Sequence, residues 1–162
     1  MARDLDLVQE ARRNWERAGW PAVPEMAAAT SITRAHQILL RRIDAALAPF
    51  GLTFSRFEAL ALLSFTRAGE LPLGKVGERL QVHPASVTNT IDRLERSGLV
   101  RRRPHPADGR GTLAAITDEG RRVVHEAALA LGAVGFGLGG ADVDHDAITA
   151  ALLPVRRGAG DL

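Results

Sequence analysis

The stretch from His83 to Thr117 restricts the fold of this 162-residue chain more than any other part of the sequence. It opens with His-Pro, and proline is favoured at the first position of a helix, where its missing N–H leaves no hydrogen bond unmade. Apolar residues then recur at helical spacing, at Val87, Ile91 and Leu94, until Gly98 ends the helix. The turn-rich segment PHPADGRG separates two short runs of strand-forming residues. The stretch therefore predicts a helix followed by a β-hairpin.

A shorter helix precedes this one. Leu73, Val76 and Leu80 mark its apolar side, and about three residues separate its end from the next helix. This is the turn length of a helix-turn-helix. With strands at about Leu99–Arg103 and Thr112–Ile116, the predicted fold class is mainly α with a small β-hairpin wing, a winged helix-turn-helix.

Further helices are predicted on the N-terminal side. Apolar residues repeat at helical spacing over about residues 26–48, before Pro49 and Gly51. Ser55 and Glu58 have the spacing of a capping box, in which a serine oxygen and a glutamate carboxylate accept hydrogen bonds from free backbone N–H groups. The pattern predicts that the next helix opens at Ser55 and ends near residue 66.

Two helices are predicted on the C-terminal side. Thr117 can cap the first and Asp142 the second. The first has an apolar stripe, formed by Val123, Val124, Ala127 and Leu131. Between the helices, GAVGFGLGG places five glycines in nine residues, which predicts a helix break. The stripes fit a dimer contact and an ordinary core equally well.

Positive charge is concentrated in the predicted helix and hairpin. Six arginines lie between Arg93 and Arg110, opposed by Glu95 and Asp108, although the formal net charge of the chain is +2. Arginine is always charged, and its planar head group suits phosphates and base edges. Since helix and hairpin project from one side of the domain, we expect a local phosphate-binding face. For Arg101–Arg103, a solvated strand edge is the alternative interpretation.

The predicted helix has a polar face opposite its apolar one. This face centres on Asn89, flanked by Arg93 and Arg96, with Ser86 near the N-terminal end. Short polar side chains can reach base edges in the major groove, and arginine can bind guanine or phosphate. We interpret Asp92 and Glu95, on the same helix, as charges on its surface.

Several classes of function are disfavoured. The chain has no cysteine, so it forms neither disulfides nor thiolate metal sites. Its five histidines lack the close spacing of metal ligands, and no nucleophile motif or carboxylate pair supports an enzyme. We therefore expect no metal, cofactor or catalytic residue. No run of about 18 apolar residues occurs and the N-terminus lacks a signal-peptide core, so a cytoplasmic protein is expected.

From about Leu39 to Gly120 the sequence resembles the winged helix-turn-helix of the MarR family of bacterial transcriptional regulators. The resemblance rests on VTNTIDRLERSGLVRR, the wing motif ADGR and the following ITDEG, which occur in that order. It implies a homodimer on a pseudo-palindromic DNA duplex, with recognition helices in major grooves and wing arginines in minor grooves. Arg110 then takes the wing-tip role, and Asp108 holds it in place.

The resemblance also implies a domain organisation. Residues 1–162 form a single MarR-like domain, with a helical dimerisation region at 4–48 and 118–157 and a winged helix-turn-helix lobe at 53–117. The expected DNA-binding residues lie on the helix-turn-helix and the wing: Lys75, His83, Ala85, Ser86, Thr88, Asn89, Arg93, Arg96, Arg103, Asp108 and Arg110.

The N-terminal segment LVQEARRNWERAGWP is amphipathic and is similar to the extra helix of the urate-responsive branch of the family. The similarity implies an effector site formed by Trp15, Glu58, Arg93 and Arg110, with glutamate where that branch has aspartate. A small anionic aromatic ligand could stack on the indole and pair with the guanidinium groups. It would then draw the two arginines away from DNA.

Two functions therefore follow from the sequence. The first is a sequence-specific, ligand-responsive DNA-binding repressor, and the second is a protein-interaction module that docks an acidic partner on its basic face. A protein-docking face usually presents exposed aromatic anchors, and the basic stretch has none. The polar helix face and the wing arginine favour the repressor.

Overall fold

The computed structural model describes residues 6–106, 108–139 and 142–158, and it leaves the side chains of residues 108–110 undescribed. The chain divides into two compact units, Met1–Arg42 and Ile43–Leu162. Most of the described residues are helical, with one small antiparallel sheet. The predicted fold class, mainly α with a small wing, is confirmed.

The first unit contains helix α1, Leu7–Arg17, and the larger part of helix α2, Val23–Leu47. Asp6 caps α1, because its carboxylate accepts hydrogen bonds from the N–H groups of Val8 and Gln9 at 3.0 and 3.2 Å. Among the described residues, α1 buries none. Helix α2 is the long helix predicted over about residues 26–48, and it begins three residues earlier than expected.

The second unit opens with the end of α2 and a 3-10 turn at Ala48–Phe50. It continues with α3 at Phe54–Ser64, β1 at Glu70–Pro72, α4 at Leu73–Leu80 and α5 at Pro84–Arg96. Strands β2 at Val100–His105 and β3 at Asp108–Ile116 form the hairpin, and α6 at Asp118–Ala133 and α7 at His145–Gly158 follow. A short 3-10 turn, Gly135–Gly137, lies between the last two helices. The glycine-rich break predicted there is confirmed within the described residues.

The sheet has one strand more than the predicted hairpin. Its order is β1-β3-β2, with antiparallel pairing throughout. The hairpin register places Val100 opposite Ile116, and β1 places Glu70 opposite Ala115. The sequence pattern does not predict strand β1, because its three residues are too few to show alternation. The hairpin strands also extend into the predicted turn, to His105 and from Asp108.

The core of the second unit joins α3, the recognition-helix candidate α5, the sheet and α6. Its fully buried large side chains are Leu47, Leu60, Leu63, Val76, Ile91, Leu94, Val100 and Leu131. The predicted inner face of α5 is confirmed, with Val87, Ile91 and Leu94 exposed by 3% or less. The stripe predicted on α6, from Val123 to Leu131, is buried as well.

The capping box predicted at Ser55 and Glu58 is wrong. Helix α3 begins at Phe54, with Thr53 at the N-cap, so Ser55 lies inside the helix. The Thr53 side chain makes no capping hydrogen bond. Instead the Asp44 carboxylate, at the end of α2, accepts a hydrogen bond from the Phe54 N–H at 2.8 Å. A residue ten positions upstream therefore supplies the acceptor that the local pattern assigned to Ser55.

The cap predicted at Asp142 is also wrong. Helix α7 begins at His145, and the Asp144 carboxylate accepts a hydrogen bond from the Ala147 N–H at 2.9 Å. Asp142 lies in the exposed segment before it. Thr117 does cap α6 as predicted, since its hydroxyl oxygen accepts from the Gly120 N–H at 3.0 Å. Two acidic residues of equal capping propensity stand two positions apart, and only the fold selects between them.

No single helix among the described residues has both the length and the apolar character needed to cross a membrane. Helix α2 with its following turn and helix α3 meet that composition test only together, as a sharply bent pair.

The junction between α5 and α6 allows no side chain at residue 120. A Cβ atom on Gly120 would lie 2.2 Å from the Leu99 carbonyl oxygen and 2.8 Å from Cγ1 of Ile116. We expect Gly120→Ala to destabilise the protein by at least about 2 kcal/mol, because backbone must shift to make room. Chemical denaturation followed by circular dichroism measures this loss.

Gly132→Ala is the matched control on the same helix, since nothing lies within 4 Å of its Cβ position. There alanine should be neutral or stabilising by up to about 1 kcal/mol. Equal unfolding midpoints for the two variants would contradict the steric account of the junction.

Candidate nucleic-acid interface

Helices α4 and α5 form a helix-turn-helix. Helix α4 ends at Leu80, α5 begins at Pro84, and the three residues between them form the turn. Gln81 adopts a left-handed conformation (φ +53°), which reverses the chain sharply. His83 caps α5, because its Nδ1 atom accepts a hydrogen bond from the Ala85 N–H at 3.2 Å. The predicted turn length and the helix start at His-Pro are confirmed.

The outer face of α5 is polar and accessible. Ser86, Asn89, Arg93 and Arg96 are exposed along it, opposite the buried apolar residues. Ala85 and Thr88 are exposed too, but the Thr88 hydroxyl already donates a hydrogen bond to the Pro84 carbonyl oxygen at 3.2 Å. A helix face of this kind can present hydroxyl, amide and guanidinium groups to base edges. The structure thus brings these predicted residues onto one surface.

The two predicted residues next to α5 are also exposed. The Nδ1 atom of His83 accepts the capping hydrogen bond. Its Nε2 atom is therefore the ring nitrogen that can bond to a partner outside the protein. Lys75, on α4, donates to the Glu78 carboxylate at 2.7 Å, in an ion pair that is exposed on both sides. Exposed pairs of this kind contribute about 0–1 kcal/mol, so a phosphate can replace the glutamate at little cost.

Arg102 does not belong to the expected six-arginine face. Its guanidinium group pairs with Asp92 and, at 3.0 Å, with Glu95, both on α5. Glu95 also accepts a hydrogen bond from the Arg102 backbone N–H at 2.9 Å. Burial opposes the charge of Arg102, but the bonds and charges of the two carboxylates outweigh it, so the arginine pKa is raised. The sequence suggested that Asp92 and Glu95 are simple surface charges. Their pairing with Arg102 instead ties the wing to the recognition helix.

Arg101 and Arg103 point away from this cluster, as strand alternation requires. Both are exposed, and Arg103 forms a 3.3 Å ion pair with Glu70 of β1. Its side chain remains 63% exposed, so this pair too is weak. The expected phosphate-binding face thus contains Arg101 and Arg103 of the first wing strand, but not Arg102.

The wing-tip predictions fall on side chains outside the described part of the chain. Asp108 and Arg110 lie on strand β3 by their backbone, and Asp108 stands opposite His105. The pairing is irregular between Pro104 and His105. The roles given to Asp108 and Arg110 stay predictions.

The expected effector residues are divided between the two units. In the first unit, Trp15 meets Trp20 edge to face at 4.5 Å, and its indole N–H donates to the Pro21 carbonyl oxygen at 3.0 Å. In the second unit, Glu58 lies on α3, where partial burial raises its carboxyl pKa, and Arg93 is exposed on α5. That these residues share one anionic-ligand site stays a prediction. Among the described residues, no group of three or more histidine, aspartate or glutamate side chains could hold a metal ion.

The short turn between α4 and α5, the exposed polar face of α5 and the adjoining sheet define a winged helix-turn-helix protein. Residues 52–112 match the MarR family. The HTH-type transcriptional regulator PecS of Dickeya dadantii is 31% identical over 134 residues, which cover 78% of this chain and 79% of PecS. The chain therefore belongs to the MarR family.

Two solved structures are similar across most of the chain. Sco5413, a MarR family transcriptional regulator from Streptomyces coelicolor, is 58% identical, with a TM-score of 0.81 over 87% of this chain and 99% of that one. The transcriptional regulator MosR of Mycobacterium tuberculosis, solved in complex with DNA, is 25% identical, with a TM-score of 0.71 over 83% of this chain and 96% of that one. Among curated relatives, the chain spans 61% of the length of YhbI from Bacillus subtilis. These relatives are transcriptional regulators.

The Arg102 cluster predicts a stability difference between neighbouring arginines. Arg102→Ala leaves Asp92 and Glu95 close together without their cation, and we expect it to destabilise the protein by about 1–3 kcal/mol. Arg101→Ala removes an exposed side chain from the same strand and should change stability by less than about 0.5 kcal/mol. Urea denaturation at neutral pH compares the two variants. If both unfold at the same urea concentration, the cluster does not stabilise the wing.

Proposed function

We propose that this protein is a sequence-specific regulator of transcription that binds a DNA duplex as a homodimer and responds to a small ligand, acting as a repressor. The single observation that supports it most is the outer face of α5, where Ser86, Asn89 and two arginines are exposed beside the wing. Membership of the MarR family adds to this support, and MosR is a related regulator solved with DNA. Docking of an acidic protein has no comparable support.

The side chains have distinct proposed roles. Asn89 and Ser86 read base edges from the middle and the N-terminal half of α5, where short polar groups reach furthest into the major groove. The cations around them, Lys75, Arg93, Arg96, Arg103 and Arg110, bind phosphates or guanine and set the register on the duplex. The residues near the start of α5, His83, Ala85 and Thr88, complete the contact surface.

This proposal predicts a steep dependence of affinity on salt. Each neutralised phosphate contributes a slope of about −0.9 in log K against log salt concentration. Arg110→Ala should weaken operator binding by about 1–3 kcal/mol, while Asn89→Ala should relax base preference more than it lowers non-specific affinity. Sequences selected from random duplex pools supply the operator, and fluorescence anisotropy over a salt series measures affinity.

Arg122→Ala is the charge-matched control for Arg110→Ala. Arg122 is exposed on α6 and already pairs with Glu119 and Glu126, so its loss should leave the affinity and the salt slope unchanged. A flat salt dependence, or equal affinities for Arg110→Ala and wild type, would overturn the DNA-binding proposal.

Association into a homodimer is supported by what the terminal helices fail to bury. Helix α7 has 14 residues, none of them buried, and Ile148 and Val155 are 41% and 63% exposed. Leu129 on α6 is 64% exposed. A helix of this length is marginal in water without packing, so a second copy of the chain is the proposed cover. Two copies also supply the two recognition helices, about 34–36 Å apart, that successive major grooves require.

The dimer can be tested on the full chain by placing charges on one side of α7 and, as a control, a charge on its other side. Ile148→Glu with Val155→Glu should convert the protein to a monomer and weaken operator binding, while its far-ultraviolet circular dichroism stays largely helical. Ala150→Glu is the control, because residue 150 lies about 200° around the helix from Ile148. Light scattering gives the mass. A wild-type monomer that binds its operator at full affinity would refute the proposal.

A further inference from the structure

Three exposed residues form the outermost surface of the first two turns of α5: Ala85, Thr88 and Asn89. Ala85 and Asn89 lie one turn apart, on the side opposite the buried Val87. Thr88 lies beside them on the side of the wing, because Arg102 donates a hydrogen bond to the Thr88 carbonyl oxygen at 3.5 Å. We call these three residues the reading tip, since the N-terminal residues of the second helix contact base edges in a helix-turn-helix.

The reading tip offers methyl groups more than hydroxyl groups. The side chain of Ala85 is a single methyl group. The Thr88 hydroxyl donates to the Pro84 carbonyl oxygen at 3.2 Å, so its hydrogen is used within the helix and its methyl group is left for a partner. Val82, which is 39% exposed, and Pro84 continue this apolar surface, since they line one recess together with Thr88. The matching apolar group in the major groove is the C5-methyl group of thymine.

The polar member of the reading tip is Asn89. In the part of the chain that the structure describes, its side-chain amide bonds to no other group. A free amide has both a donor and an acceptor, and adenine presents that pair in the reverse sense, as its N6 amino group and its N7 atom. The amide of Asn89 therefore fits adenine in a bidentate contact, while guanine offers it two acceptors in the major groove.

The side chains that bind guanine best are placed further back. Arginine or lysine on the O6 and N7 atoms of guanine is the commonest specific contact. From Pro84 to Asp92, α5 contains neither residue type, and Arg93 and Arg96 follow in its last turn. Lys75 belongs to α4, where it pairs with Glu78. The first two turns of α5 therefore have the chemistry of an A·T reader.

We propose that the reading tip selects A·T base pairs in each half of the operator. Asn89 holds the adenine, and the methyl groups of Ala85 and Thr88 pack on the C5-methyl group of thymine. Ala85 and Asn89 are about 6 Å apart along the helix, and successive bases are about 3.4 Å apart, so the two contacts fall within about two base steps of each other. This inference rests on the proposed function and adds to it the identity of the bases.

The methyl contact can be tested by replacing each thymine of a selected operator, in turn, with deoxyuridine, which pairs with adenine but lacks the methyl group. At one or two positions in each half-site, wild type should bind the thymine operator about fourfold more tightly than the uracil operator, as expected for one buried methyl group. At the same positions, 5-methylcytosine should be preferred to cytosine by a similar factor. Fluorescence anisotropy with the full-length protein measures these ratios.

The protein side of the methyl contact is tested by removing its methyl groups. In Thr88→Ser, which keeps the hydroxyl group, and in Ala85→Gly, the thymine-to-uracil ratio should fall to about one at the position that each residue contacts. Each ratio compares two operators with the same variant, so a loss of helix stability affects both affinities equally. Thr90→Ser is the matched control, because residue 90 lies about 140° around the helix from Ala85 and should keep the wild-type ratio.

The adenine contact has its own substitution. Replacing the adenine with 7-deazaadenine removes the N7 acceptor without changing base pairing, and it should weaken binding by wild type about fivefold or more, but binding by Asn89→Ala by much less. Equal affinities for thymine and uracil operators at every position, or selected half-sites with G·C pairs throughout the tip contact, would overturn the inference and leave DNA binding intact. Failure to select any operator would instead count against the proposed function.

Discussion

The contact between the end of α5 and the start of α6 fixes the geometry on which the winged lobe depends. Thr117 donates its hydroxyl hydrogen to the Gly98 carbonyl oxygen at 2.8 Å and its backbone N–H to the Leu99 carbonyl oxygen at 3.0 Å. The same hydroxyl oxygen caps α6, and Gly120 brings that helix against Leu99. Recognition helix, wing and C-terminal helix therefore meet at one point, and the first wing strand leaves it in a fixed direction.

The parts of the fold that were predicted correctly are those that neighbouring residues determine. Proline at the start of α5, its apolar spacing and the left-handed Gly98 at its end (φ +72°) are local signals, and the structure has the helix as expected. The wrong caps, at Ser55 and Asp142, had equally good local patterns. The actual acceptor for α3 is Asp44, on another helix, so a local rule could not find it.

The candidate site divides in the same way. Exposure of Ser86, Asn89, Arg93 and Arg96 follows from helical periodicity, and the structure agrees. The pairing of Arg102 with α5 does not follow from the sequence, because three adjacent arginines in a strand are equivalent until the sheet is placed beside a helix. Alternation alone indicated that one or two of them face inward, but not which. The number of arginines in the sequence therefore overestimates the positive charge that the winged lobe presents to a partner.

If helix α7 packs against a second copy, as proposed, its folding depends on the concentration of the protein. Because it buries none of its described residues within the chain, packing inside a single copy contributes little to holding it helical. The glycine-rich 3-10 turn before it, with Gly135 and Gly137 at positive φ, gives it no continuous helix to extend. In the proposed homodimer its helicity is then a property of the assembly: dilution should melt α7 first, and the winged lobe would outlast the helix that is proposed to pair it with a second copy.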